Sequence, residues 1–413
     1  MRTTFNPASE DLAPYQIGPL AVHVPDYADL LGHYGYAVAH GRTKLCQVRD
    51  FSQWLGKKRI GVEAVNEQVI EAFRSGRRKL SRCIGEGATL SLLLRHLRDV
   101  NVVPPPCHIM PESSVERVVR EYCEHQVNER CLGKLTVVEY AAGIRRFLLD
   151  VVNDSEFDPA RLTANGINEF VLKETAMRGR KACQLCTCAL RSFLRFLVMT
   201  GRLEQDLAQS VPTVAGWRAS ELPHFLESCE VEKLLNSCNR NTDAGNRNYA
   251  ILMLLARLGL RAGEVCKLDL RDVDWRAGEI RVRGKNGRVD RLPLPQDVGE
   301  ALVEYLKCRR SESPSKRMFL QARAPYLGLA DTHASSVSSI VRRALKRAHL
   351  NPPHQGAHIL RHSLATKMLG EGVSLFQIGQ VLRHASIQTT EIYAKVNLPA
   401  LRKLAQPWPG GVL

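Results

Sequence analysis

In the stretch TVVEYAAGIRRFLL the apolar side chains Val137, Tyr140, Ile144, Phe147 and Leu148 recur at intervals of three and four. That period draws one apolar stripe along an α-helix, and such a stripe is buried only against other helices. SSVERVVREYCEHQV, TANGINEFVLKETA and KACQLCTCALRSFLRFLVMTG also read as helices, with Thr163 as an N-cap for the second. The exception is GEIRVRGKNGRVDRLPLP, where Ile280 and Val282 alternate with charged neighbours, a turn falls at Lys285-Asn286-Gly287, and the chain returns through Val289 toward Leu292 and Leu294. Asn-Gly between two such runs predicts a β-hairpin. The fold class is therefore mainly α with a small antiparallel β-sheet.

A chain of 413 residues exceeds one ordinary core and predicts two or three domains. Three consecutive prolines, Pro104 to Pro106, cannot continue a helix and close a first segment, residues 1–112. A helical segment, 113–211, follows, and Pro212, Gly216 and Pro223 punctuate a linker, 212–225, before a third segment, 226–413. The first two segments echo each other. Val48, Phe51 and Leu55 match Ile144, Phe147 and Val151; Ile70 and Phe73 match Ile167 and Phe170; LLRHL at 93–97 matches FLRFL at 193–197. Duplication and chance likeness between amphipathic helices both account for this.

Lys and Arg number 58 against 42 Asp and Glu, a formal charge of +16. A polyanion, above all nucleic acid, is the expected partner. RSGRRK offers Arg74, Arg77, Arg78 and Lys79 as DNA contacts, although a solvated basic loop reads equally well. The twelve cysteines show no paired framework and no signal peptide precedes them, so the expected compartment is the cytoplasm. Cys183, Cys186 and Cys188 read as core thiols; no metal or cofactor is expected. YAILMLLARLGL, residues 249–260, is the longest apolar run and falls short of a membrane span, so it reads as a core helix.

The chemistry gathers late in the chain. His358 and Arg361 in HILRHSLAT share one helix face, and Arg261 and Glu264 in LGLRAGEV repeat that spacing. Two arginines from separate helices can fork onto the nonbridging oxygens of one phosphodiester, with Glu264 holding or screening Arg261. Taken singly, each arginine reads as an exposed ion pair or a nonspecific phosphate contact, and Glu264 as a surface acid. Lys285 at a hairpin tip, His384 in LRHAS and Tyr393 in TTEIYAKV have ordinary readings when taken alone, but a tyrosine once deprotonated can attack phosphorus.

Together and in this order, these motifs resemble the tyrosine recombinase, or phage integrase, family. The resemblance spans roughly residues 113–403. It implies a helical core-binding (SAM-like) domain at 113–211, a catalytic domain at 226–413, and a two-domain clamp around duplex DNA. The N-terminal residues 1–112 would be an additional helical module, itself resembling a diverged core-binding repeat. The chemistry implied is cleavage through a 3′-phosphotyrosyl intermediate, without metal or nucleotide, and strand exchange through a Holliday junction by a homotetramer on two DNA sites, with or without partner recombinases. Tyr393 would be the nucleophile, with Arg261 and Arg361 stabilising the phosphorane. His358 and His384 would supply hydrogen bonds or proton transfer, Lys285 the proton for the departing 5′-oxygen, and Glu264 support.

The sequence departs from the family's pattern in three places: Arg383 stands where glycine is common, Lys367 follows LAT where histidine is usual, and Lys395 follows the tyrosine where histidine is frequent. These leave DNA contacts and substrate preference open. Leu398, Leu401 and Leu404 read as a short C-terminal helix, which in the resembling family docks on a neighbouring subunit. Two other functions compete with recombination: DNA relaxation of the type IB topoisomerase kind, and a non-catalytic DNA-binding accessory role.

Overall fold

The computed structural model describes residues 4–76, 85–105, 113–151, 157–215, 223–284, 288–309, 315–329, 335–384 and 386–396. Lys285, Arg77, Arg78, Lys79, the side chain of Lys395 and the leucines at 398, 401 and 404 lie outside them. The chain divides into two compact bodies, Met1–Pro105 with Glu221–Leu413, and Pro106–Ser220.

Among its described residues, the N-terminal part has four α-helices: α1 (Val24–His33), α2 (Val38–Lys58), α3 (Glu67–Gly76) and α4 (Glu86–Asp99). Its core holds Tyr27, Leu45, Phe51, Phe73, Leu90 and Leu97. Residues of the second body form α5 (Ser114–Asn128), α6 (Lys134–Val151), α7 (Ala164–Met177) and α8 (Arg180–Met199). The expected stripe faces inward here, since Val137, Ile144, Phe147 and Leu148 are buried, and Thr163 Oγ1 accepts the Gly166 N–H at 3.1 Å as the cap of α7.

The internal packing of the two four-helix sets corresponds in detail. Phe51 and Phe73 are tilted at 5.1 Å and 60°, and Phe147 and Phe170 meet at 5.2 Å and 64°. Tyr27 Oη donates to the Thr89 carbonyl of α4 at 3.2 Å, and Tyr122 Oη to the Ala189 carbonyl of α8 at 3.5 Å. A buried phenol needs an acceptor, and both sets supply it from the same helix in the order.

Among the described residues, α8 alone is long and apolar enough by composition to cross a membrane. It packs instead as a core helix, burying Cys186, Leu190, Phe193, Leu194 and Leu197. Cys183 and Cys186 are buried as expected; Cys188 is exposed, a correction, because its position on α8 falls outside the packed stripe.

The C-terminal segment carries α9 (Ser228–Asn236), α10 (Asp243–Arg257), α11 (Ala262–Lys267), α12 (Gln296–Cys308), α13 (Ser335–Arg347), α14 (His358–Gly370) and α15 (Leu375–Leu382). Helix α10, the apolar run, is buried almost all round and forms the centre of the core. Beside it lies an antiparallel sheet in the order β1 (Val273–Asp274), β2 (Glu279–Arg283), β3 (Val289–Pro293), with Ile280 opposite Leu292 and Val282 opposite Asp290. Ile280 and Val282 are fully buried while Arg281 between them is exposed, as alternation requires. The Gly284 N–H donates to the Arg288 carbonyl at 2.7 Å, closing the hairpin below its tip. The chain is thus mainly α with a small antiparallel sheet. A separate small cluster of Ala365, Ile378, Leu382 and Tyr393 holds the last helices together.

Candidate active site

Arg261 stands at the N-cap of α11, immediately after the turn that ends α10. Glu264, one turn on, accepts from the Arg261 backbone N–H at 2.9 Å and from Arg261 Nη1 at 2.7 Å. Burial alone would raise the Glu264 carboxyl. The Arg261 N–H and the Arg383 and Arg261 guanidiniums overcome that and hold it below the usual carboxylate range. Glu264 is therefore the buried holder of Arg261, not a surface acid.

Arg361, in the first turn of α14, is 3% exposed. Its Nη1 donates to the Gly259 carbonyl and its Nη2 to the Leu382 carbonyl. Arg261 Nη2 donates to the next carbonyl along, that of Arg383, at 3.3 Å. Guanidiniums from two helices thus rest on consecutive carbonyls at the end of α15. Paired cations in a buried setting repel, and the Arg361 pKa is brought down to about 10 by burial, Arg261 and Arg383.

Arg383 caps α15 in the left-handed region, φ 56 and ψ 49, and turns the chain so that His384 follows outside the helix. His384 Nδ1 lies 2.6 Å from the buried Thr390 hydroxyl, leaving Nε2 for a substrate contact. Burial, then Arg361 and Arg261, push His384 down to about 4. His358, exposed at the start of α14, is lowered by the protein around it and by Arg361 and Arg261. The His384 imidazole is neutral at pH 7.

Tyr393 lies in a 3₁₀ turn, Glu391–Val396, and is 1% exposed. Its hydroxyl is 2.8 Å from His362 Nδ1. Burial pushes the phenol up to about 12, with Arg361 pulling the other way, and burial, His358 and Arg361 push His362 down to about 4. The motif order Arg261, Lys285, His358, Arg361, His384, Tyr393 assigns His362 no role. The available signal was its place four residues after His358, on the same helix face.

Arg288, the first described residue beyond the hairpin tip, lines a cleft of 160 Å³ with Arg383, His384 and Thr390, so the base of the hairpin that carries Lys285 stands beside His384. Arg74 pairs with Glu71 at 2.7 Å in the N-terminal part, apart from this constellation. Among the described residues no group of three His, Cys, Asp or Glu could hold a metal ion.

The three arginines and Glu264 leave two net positive charges beside the neutral His384 imidazole. Such a site receives an anion such as a phosphodiester. The fold agrees with that chemistry. The solved XerH site-specific recombinase bound to palindromic difH substrate matches at a TM-score of 0.54 and 20% identity over 77% of this chain and 89% of its own. The integrase of the transposon Tn1549 matches at 0.52 and 16% identity over 70% and 99%. These define the fold as that of a two-domain recombinase.

The sequence profile described as the phage integrase family matches residues 224–398. Sinorhizobium fredii protein y4rA, designated an integrase/recombinase, is 41% identical over 95% of each chain. The tyrosine recombinase XerC of Pelobacter propionicus is 30% identical over 69% of this chain and 93% of its own. The chain belongs to the phage integrase family, the tyrosine recombinases, and is a DNA strand-transferring enzyme of site-specific recombination.

Proposed function

We propose that Tyr393 is the nucleophile and that Arg261, Arg361, His358, His384 and Lys285 form the phosphate site, with Glu264 holding Arg261. Tyr393 Oη bonds to phosphorus as its proton passes to His358, the bond from phosphorus to the 5′-oxygen breaks, and the 5′-oxygen leaves with a proton from Lys285. A second strand's 5′-hydroxyl reverses the step, because the phosphotyrosyl bond conserves the energy of the phosphodiester. The observation that carries this reading is the pair of guanidiniums on the consecutive Leu382 and Arg383 carbonyls: they form a preorganised donor set of the kind that stabilises charge developing on phosphorus. His362 holds the phenol until DNA arrives.

The substrate is duplex DNA, and two paired sites with four subunits carry the exchange, with or without partner recombinases. Residues 113–211 serve as the core-binding domain and 226–413 as the catalytic domain, joined by 212–225. Residues 1–112 are a diverged core-binding repeat; the shared aromatic pair and phenol-to-carbonyl bonds support this. The compartment is the cytoplasm. Incubation with a nicked duplex carrying the recombination site gives a covalent protein–DNA adduct that Tyr393→Phe abolishes. Binding of that duplex without an adduct from the unaltered chain would establish an accessory role instead.

A further inference from the structure

Arg383 is 7% exposed, and its Nη2 donates to Glu264 Oε2 at 2.9 Å, with the two side chains 4% and 5% exposed. Its guanidinium is committed to a carboxylate, where that of Arg361 rests on backbone carbonyls. Glu264 Oε1 meanwhile takes Arg261 Nη1, and Arg261 Nη2 returns to the Arg383 carbonyl. The result is a closed ring from Arg261 through Glu264 and the Arg383 side chain to the Arg383 backbone.

The ring comes at a cost. Arg383 occupies left-handed backbone space, which a residue with a Cβ rarely adopts, and its Nε is buried without a hydrogen-bond partner. The next residue, His384, is fixed by the same turn, its N–H donating to the Gly379 carbonyl at 2.9 Å.

We propose that Arg383 is a positioning residue, which shares Glu264 with Arg261 so that Arg261 and His384 are held as one unit around the scissile phosphate. This rests on the assignment of those two residues to the phosphate site. Glu264 has two cations. When a phosphodiester draws the Arg261 guanidinium toward itself, Arg383 keeps the buried carboxylate paired. Without Arg383, Glu264 relies on Arg261 alone and competes with the DNA for it.

The test is Arg383→Gly, a residue that the left-handed turn accepts without strain. Single-turnover adduct formation on a nicked duplex is expected to fall ten- to a hundredfold, while the Kd for the same duplex changes less than twofold. In a Glu264→Gln background the further loss from Arg383→Gly shrinks below threefold, because the two act through one ion pair. Arg383→Lys, which keeps the charge but not the planar fork, gives an intermediate rate and serves if the glycine variant does not fold. Cleavage at the unaltered rate, a Kd that weakens as much as cleavage does, or independent effects of the two substitutions would each overturn the proposal. Adduct formation by the unaltered chain and its loss in Tyr393→Phe are scored first, so failure of the site assignment is read separately.

Discussion

Gly259 links backbone conformation directly to the chemistry. Its φ is +58, and a Cβ there would stand 2.7 Å from Leu382 Cδ2, 3.1 Å from Leu364 Cδ2 and 3.9 Å from Arg361 Cγ. Its carbonyl also receives Arg361 Nη1. In Gly259→Ala the left-handed backbone costs about 1–2 kcal/mol. Forcing aside Leu382, which is fully buried, adds about 1–3 kcal/mol of overpacking. Restriction of the unfolded chain returns about 0.4–1 kcal/mol.

The net loss is about 2–4 kcal/mol, enough to lower the Tm of a domain this size by roughly 4–16 °C. Leu382 moves under this pressure, and its carbonyl carries Arg361 Nη2. A displacement of about 1 Å in a positioned donor slows chemistry about a hundredfold. Thermal unfolding and single-turnover adduct formation are measured side by side with Gly263→Ala, whose Cβ meets nothing within 4 Å and which lies in α11. That control is expected to hold or raise the Tm. An unchanged Tm and cleavage rate in Gly259→Ala would refute the claim that this turn anchors Arg361.

His362 and His384 are each held down to about 4 from 6.5, so the unfolded chain takes up protons first. Stability therefore falls as pH drops from 6.5 toward 4, by about 1.4 kcal/mol per pH unit for each ring. Glu264, held low, adds a further loss only below its own unfolded range; urea midpoints that stay level between pH 7 and 5 would contradict the assignment of neutral, buried imidazoles. The raised phenol and the lowered His362 imidazole both favour a neutral Tyr393–His362 hydrogen bond in the free protein. If His362 only holds Tyr393, His362→Ala is expected to keep adduct formation within tenfold, and Arg361→Ala to lose more than a hundredfold, in the same single-turnover assay. Crowding of the buried Arg361 by Arg261 and Arg383 destabilises the free protein and is relieved when an anion binds. Duplex DNA is expected to raise the Tm at pH 7, and an unchanged Tm would contradict that origin.

Much of this was legible in the chain itself. The three-and-four spacing of Val137, Ile144 and Phe147 determined the helices, alternation at Ile280 and Val282 determined the hairpin strands, and the order Arg261, Glu264, His358, Arg361, His384, Tyr393 pointed to the recombinase chemistry. These are local signals, set by backbone period and residue type. What only the tertiary structure decided concerns contacts between residues far apart in sequence. Arg383, read as an unexplained departure, became the second partner of Glu264, 119 positions away; His362 met Tyr393, 31 positions on. Spacing cannot reveal such pairs, because they depend on how α11, α14 and α15 pack, and packing is a property of the assembled core.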